Sequence, residues 1–271
     1  MRLVVSRKSP QLGQVVAIAN QKGGVGKTTT AINLGTALAA CGKTILLIDI
    51  DPQGNASTGL GIQRASRPVT TYDVLLGRAE LSDAVLDTKI PGFELVPSVL
   101  DLSAAEIEMV EKERREFRLK DALTRLDKDY DYVLIDCPPS LGLLTVNALT
   151  AARAVMVPLQ CEFFALEGLS LLLRTVERVR RNFNPELEVQ GVLLTMFDKR
   201  NNLAQQVATD VRSFLGKRVY DTMIPRNVRV SEAPSHGMPV LLYDFRCPGS
   251  QAYVQLAGEV LRRERIADAR S

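Results

Sequence analysis

The sequence predicts an α/β fold, with a mostly parallel sheet covered by helices on both faces. Three observations carry this prediction. A strand, a glycine-rich loop, a helix and a second strand follow one another within about 35 residues, the length and order of a βαβ unit. Short apolar runs recur after it at 93–97, 132–136, 154–158, 189–196, 219–224 and 239–243, with helix-like stretches between several of them, as in a sheet buried on both faces. No linker rich in Pro, Gly or Ser divides the 271 residues, so 14–271 reads as a single domain. Residues 1–13 lack periodicity and read as a loose N-terminal extension.

In order along the chain, 15–20 is a short apolar run and reads as a buried strand. Residues 27–41 are helix-like, with Ile32, Leu34, Leu38 and Ala39 apolar and Gly42 as the stop. Residues 44–49 are apolar and end in Asp49, a second buried strand. Residues 52–92 are irregular and receive no elements. Ser103 and Glu106 have capping-box spacing, which predicts the start of a long charged helix with a broken stripe of Ile107, Val110, Phe117 and Leu126. Residues 166–183, 203–215 and 251–263 also read as helices. In the last, Tyr253, Leu256, Val260 and Leu261 form a stripe suited to packing on the domain.

Hydrophobic residues are 46% and charged residues 24%, a balance that suits a globular chain with a sizeable core. No apolar run approaches the roughly 18 residues of a membrane span. Met1 to Pro10 are basic without a secretory apolar region, so a cytoplasmic location is the expectation. The four cysteines, Cys41, Cys137, Cys161 and Cys247, form no CxxC pair, and His236 is the single histidine. Any metal is therefore expected to be a hard cation held by oxygen. Net charge is +3, and within 196–229 seven Lys and Arg face three Asp. That stretch is either a solvated surface or a patch for a polyanion.

The chemistry concentrates at Gln21-Lys22-Gly23-Gly24-Val25-Gly26-Lys27-Thr28-Thr29, between the first strand and the first helix. Glycines let backbone N–H groups turn toward phosphate oxygens, and the helix N-terminus behind adds its positive dipole end. Lys27 can reach the β- and γ-phosphates, and the Thr28 hydroxyl can ligate Mg²⁺. Gln21 stands where the usual G-x-x-x-x-G-K-[ST] pattern has its first glycine, so this is a variant phosphate loop of a P-loop NTPase. Asp136 ends the run 132–136, where a carboxylate can hold Mg²⁺ through water. Of Asp49 and Asp51, at the end of the second strand, one is expected to face the nucleotide and the other a structural partner. Cys137 reads as a packed thiol and His236 as a structural or partner-facing residue, because nothing completes a catalytic triad around it.

Residues 22–28 resemble the deviant Walker A sequence of the ParA/MinD group. Asp49-Ile50-Asp51-Pro52-Gln53-Gly54-Asn55 resembles the switch segment of ParA/Soj proteins, and Asp136-Cys137-Pro138-Pro139-Ser140 their Walker B region. Ile224-Pro225-Arg226-Asn227 and the stretch from Ser231 to Gly237 resemble their later blocks, and the likeness runs from about Val15 to the last helix. The resemblance implies a Mg²⁺-dependent ATPase that forms a homodimer on binding ATP and binds non-specific double-stranded DNA. It also implies a ParB-type centromere-binding partner that stimulates hydrolysis, a place on the nucleoid, and no membrane. Among residues, it implies that Lys22 crosses the dimer interface to the partner's nucleotide; alone, Lys22 would read as a second lysine solvating the loop edge. It implies that Asp51 orients the attacking water and that Asp49 is a metal-side or switch residue. Pro225 and Asn227 become candidates for holding adenine. Arg200 and Arg229 match DNA-contacting positions, with Lys199 and Arg218 beside them in the basic stretch.

Two other classes share the loop. A MinD-like spatial regulator would need a C-terminal amphipathic membrane helix, and residues 265–271 offer one large apolar side chain. A redox ATPase resembling the nitrogenase iron protein would need a cysteine pair for an intersubunit cluster, and no pair has that character.

Overall fold

The computed structural model describes residues 12–268. Seven strands form one sheet: β1 (Leu12–Ile18), β2 (Ile45–Asp49), β3 (Leu86–Asp87), β4 (Phe93–Val96), β5 (Tyr130–Asp136), β6 (Ala154–Gln160) and β7 (Glu188–Thr195). Their spatial order is β3-β4-β2-β5-β1-β6-β7, and every neighbouring pair is parallel except β3 with β4. The helices are α1 (Lys27–Ala40), α2 (Asn55–Gly59), α3 (Thr71–Leu76), α4 (Leu102–Glu108), α5 (Arg118–Thr124), α6 (Leu143–Ala151), α7 (Ala165–Asn182), α8 (Asn202–Leu215), α9 (Val228–Glu232), α10 (Val240–Tyr243) and α11 (Pro248–Asp268).

Alternation along the strands divides the apolar side chains between two cores. Val16 and Ile18 of β1 join Ile45 and Leu47 of β2, under α1 and α11. Val15 and Ala17 join Leu46, Ile48, Val133 and Ile135, under α3, α5, α6, α7 and α8. Burying each such Val, Leu or Ile contributes roughly 1.5–3 kcal/mol, so the central strands are buried on both faces for an energetic reason. The stripe on α11 packs as expected: Tyr253, Leu256 and Val260 are all buried, and Leu261 is partly so.

Several expectations need correction. β1 begins at Leu12, so it includes the last two residues of the expected extension; 1–11 lie outside the described residues. The run 219–224 is not a strand. It touches β7 through one bridge, Val192 with Val219, and just beyond both segments Phe197 bridges Pro225. Between them, Asp221 N and Thr222 N donate to the two oxygens of Glu259 on α11, at 2.9 Å each, and this diverts the backbone from the sheet. The run 239–243 forms the short helix α10, whose first amide, Val240 N, donates to Asn33 Oδ1 at 2.8 Å. The long charged helix is two helices, because the chain leaves α4 and passes through Arg114 at φ 53 before α5. Ser103 does not cap it: its hydroxyl donates to Leu100 O, and Glu106 Oε1 accepts from Leu144 N at the start of α6. Ile107 and Val110, expected on the buried stripe, are exposed. In the stretch left without elements, Thr70 and Asp73 form a reciprocal capping box that starts α3.

Candidate active site

The three central strands end level with one another. Ile18 of β1 and Asp49 of β2 both register with Asp136 of β5, so the loop after β1 and two carboxylates meet at one edge. This is the edge where an open parallel sheet offers its crevice. The loop turns on two glycines in the left-handed region, Gly24 at φ 72 and Gly26 at φ 87, and Gly26 is the N-cap of α1. At Gly24 a Cβ would meet nothing within 4 Å, so the backbone angle, not space, requires glycine there. Tethers fix the loop from the β6 and β7 side. Asn20 Nδ2 donates to Pro158 O at 2.7 Å, and Asn20 Oδ1 accepts from Lys22 N at 3.0 Å. The Thr195 hydroxyl donates to Val25 O at 2.8 Å.

Lys27 is buried, and Nζ donates to Lys22 O at 3.1 Å. Burial pushes its ammonium below the ordinary lysine range, and the Asp136 carboxylate is the main force opposing that shift. Asp136 is fully buried and neither carboxylate oxygen accepts a hydrogen bond. Burial, then the charge of Asp49, hold its carboxyl well above the usual range; the nearby Thr28 hydroxyl counts against the rise without reaching hydrogen-bond geometry. A buried anion with open lone pairs beside a threonine hydroxyl fits a hard cation. Among the described residues Asp49, Asp51 and Asp136 do not converge into a three-ligand cage.

Asp49 has structural partners. Its Oδ2 accepts from Ser57 N at 2.9 Å and from the Ser57 hydroxyl at 2.7 Å, and its Oδ1 accepts from Asp51 N at 3.2 Å. Burial raises its carboxyl to about 6, and the Ser57 bonds oppose the rise. These contacts tie Asp49 to α2 through Ser57. Asp51 is also buried, and its Oδ1 accepts from Gln53 N at 3.0 Å, which closes the turn toward Gly54. Lys22 lies half-exposed at the rim, in an ion pair with Glu162.

The adenine candidates stand two residues apart, before α9. Pro225 lines a cavity of about 690 Å³, together with Phe197, Lys199, Arg200, Arg226 and Gln251. Asn227 is the N-cap of α9, and its Oδ1 accepts from Arg229 N at 2.9 Å. The DNA candidates separate. Lys199 and Arg200 follow the C-terminal end of β7, where Phe197 bridges to Pro225, two residues before Asn227 and the start of α9, which bears Arg229. Arg218 precedes Val219, which bridges to Val192 in the middle of β7, and lines a groove with Glu188 and Val189 at its start. Arg200 is 90% exposed and pairs with Asp198, whose carboxyl it pushes down to about 2. Arg229 pairs with Glu232 at 3.0 Å and Asp244 at 3.6 Å. His236 stacks on Tyr243 at 4.9 Å, a packing role. Cys137 is buried and its thiol is pushed up by that burial, then by Asp136, as fits a packed thiol.

A family model for an AAA domain matches residues 13–189. The chromosome partitioning protein ParA of Caulobacter vibrioides is 65% identical over 260 residues, covering 95% of this chain and 97% of that protein. The chain belongs to the ParA/Soj family. The sporulation initiation inhibitor protein Soj of Bacillus subtilis is 53% identical, over 92% of this chain and 98% of its own. A structure described as cobyrinic acid a,c-diamide synthase from Mycobacterium smegmatis, with bound ADP and magnesium, superposes with TM-score 0.82 at 40% identity, over 94% of this chain and 96% of that one.

Around the ParA/Soj motifs lie residues the motifs do not contain. Arg67 is buried against the switch: its guanidinium donates to Ser98 O at 2.7 Å, Thr58 Oγ1 at 2.9 Å and Ile62 O at 2.7 Å. Ser57, Thr195 and Glu162 hold Asp49, the loop and Lys22 respectively. None of them belongs to a motif whose spacing names its partner. The only available signal was Ser57's place two residues beyond Asn55, at the end of the switch segment.

Proposed function

We propose that this chain is an ATP-hydrolysing partitioning protein whose ATP-bound homodimer binds non-specific DNA and releases it on hydrolysis stimulated by a ParB-type partner. The observation that carries the reading is the buried Lys27 at the foot of a left-handed glycine loop, set against an Asp136 carboxylate with no protein partner. Membership of a family whose relatives are named for chromosome partitioning supports the cargo.

In this reading the backbone amides of 23–28 and the Lys27 ammonium hold the phosphates, in a site where low dielectric strengthens each contact. Thr28 and Asp136 hold Mg²⁺, with Asp49 behind them; when bound, the cation neutralises charge that builds on the phosphate oxygens. Asp51 orients the attacking water, and its backbone bond to Asp49 ties that orientation to α2. Lys22 leaves Glu162 to reach the partner's nucleotide. Their pair is half-exposed, so breaking it costs about 1 kcal/mol or less. Pro225 and Asn227 flank the adenine. Arg200, Arg229 and Lys199 lie at the same end, and dimerisation doubles them on one surface. Among the described residues the apolar stripe of α11 is buried against the domain, which favours the partitioning reading over the membrane-bound alternative.

The test is a salt titration of DNA binding with ATP and with ADP, for the wild type, Arg200→Ala and Arg229→Ala. Both variants should keep ATP-dependent dimerisation and lose ATP-dependent DNA binding. Each lost contact should lower the log–log salt slope by about 0.9. Equal affinity of the wild type in the two nucleotide states refutes the switch.

A further inference from the structure

Arg218 is separated from Arg200 and Arg229, but it has basic neighbours of another kind. It lines a groove of about 380 Å³ with Arg180 of α7, and a second groove of about 660 Å³ on the helix's other flank is lined by Arg174, Arg178 and Arg181. Leu173 and Glu177 border both grooves, so the C-terminal half of α7 is a ridge between them; Glu177 and Glu188 balance Arg180 and Arg218 in the first, and the positive excess lies in the second. Arg174, Arg178 and Arg181 recur at i, i+4 and i+7 and therefore share one face. All three are exposed. Glu177 is the only acid in this half of the helix, and it is divided between Arg181 at 2.9 Å and Arg180 at 3.9 Å. Arg174 and Arg178 enter no ion pair among the described residues.

We infer that this face of α7, with Arg218 at its side, is a second surface for the phosphate backbone of DNA, complete in a single chain and independent of nucleotide. Guanidinium forks match phosphate oxygens. Steps of four and three residues advance about 6 Å and about 4.5 Å along the helix, against roughly 3.4 Å per phosphate along one DNA strand, so successive arginines can take separate phosphates. Four arginines against one carboxylate on this half-helix leave the charge excess such binding needs. Arg218 shares its groove with Glu188 and Val189 at the start of β7, away from Arg200, so the surface does not wait for a second chain to assemble it. The consequence is a weak hold on DNA in the ADP state, beside the strong hold that ATP switches on. The inference rests on the proposed DNA partner.

The experiment measures binding of the full chain to a double-stranded DNA probe at low salt, with ADP and with ATP. The variants are the triple substitution Arg174→Ala, Arg178→Ala, Arg181→Ala, the single Arg178→Ala, and the triple Arg-to-Lys form. With ADP, the wild type should bind weakly with a steep salt slope. The triple alanine form should lose that binding, and Arg178→Ala should lower the slope by about 0.9. The lysine form should retain most of it, which separates charge from fold. ADP-state binding that is absent in the wild type, or unchanged in the triple alanine form, overturns the inference and leaves the ATP switch standing. Capture of a polyglutamate peptide by this face, without any effect on DNA, overturns it in favour of an acidic protein partner. No DNA binding in either nucleotide state refutes the proposed function itself.

Discussion

Replacing Asp136 with Asn should stabilise the nucleotide-free protein while removing its response to Mg²⁺ and ATP. In the free chain this carboxylate is fully buried, accepts no hydrogen bond, and faces Asp49 and Asp51 against the single cation Lys27. The amide keeps the shape and removes the charge. An unsatisfied buried polar group costs roughly 1–3 kcal/mol and a charged one more, so the exchange should recover about 1–3 kcal/mol. For a chain of this size that is a Tm rise of about 2–10 °C. The folded pKa of this carboxyl lies above its unfolded value of about 3.9, so its stabilising contribution is fully present below that value and is lost as pH rises through the folded one. The advantage of the variant should therefore grow as pH rises and shrink as pH falls toward the unfolded value. Scanning calorimetry without nucleotide, and again with Mg²⁺ and a non-hydrolysable ATP analogue, reads both effects. The wild type should gain about 2.7 kcal/mol at a ligand concentration of roughly 100 Kd, and the variant much less. A nucleotide-free variant that melts at or below the wild type refutes the reasoning, because the attraction of Lys27 would then outweigh the two like charges.

Lys22→Ala should bind ATP as a monomer and fail to form the ATP dimer; light scattering decides, and a normal dimer returns Lys22 to the solvated rim. Asp51→Ala should bind ATP and dimerise but turn over more slowly by roughly 10- to 100-fold, since the water loses its orienting group; failure to bind ATP would make Asp51 structural. Gly54→Ala should lower stability by about 1–3 kcal/mol in urea unfolding. Its φ is +63, and a Cβ there would lie 2.6 Å from the Arg67 guanidinium and 2.9 Å from Ser98 O.

The fold was legible where local and global signals agree. β2, β5, β6 and β7 are apolar runs flanked by polar residues, and their observed limits lie within about two residues of the sequence reading. The misreadings share a cause. A short apolar run states that a segment is buried but not who takes its backbone hydrogen bonds. At 221–222 the carboxylate of Glu259, distant in sequence, takes them, and at Val240 the amide of Asn33 does. Likewise Ser103 and Glu106 have capping spacing, but Glu106 serves a different helix. In the site, residue types with one dominant chemistry were readable: the glycines, Lys27 and Asp136. Ser57, Thr195 and Arg67 were not, because a lone hydroxyl or guanidinium acquires its meaning only from the partner that folding brings to it.

The strand order has a consequence for how this protein can diverge. β1 stands between β5 and β6, so its loop receives different contributions from its two sides. From the β2–β5 half come the carboxylates, Asp49 and Asp136. From the β6–β7 half come the carbonyl of Pro158 and the hydroxyl of Thr195, which carry no charge. The buried charge and the uncharged tethers thus come from separate halves of one sheet, and Glu162 after β6 adds charge only at the exposed rim, against Lys22. Drift in the second half can reshape the cradle without disturbing its charge, and drift in the first can retime the chemistry without deforming the cradle. A lineage can therefore adjust grip and turnover one at a time.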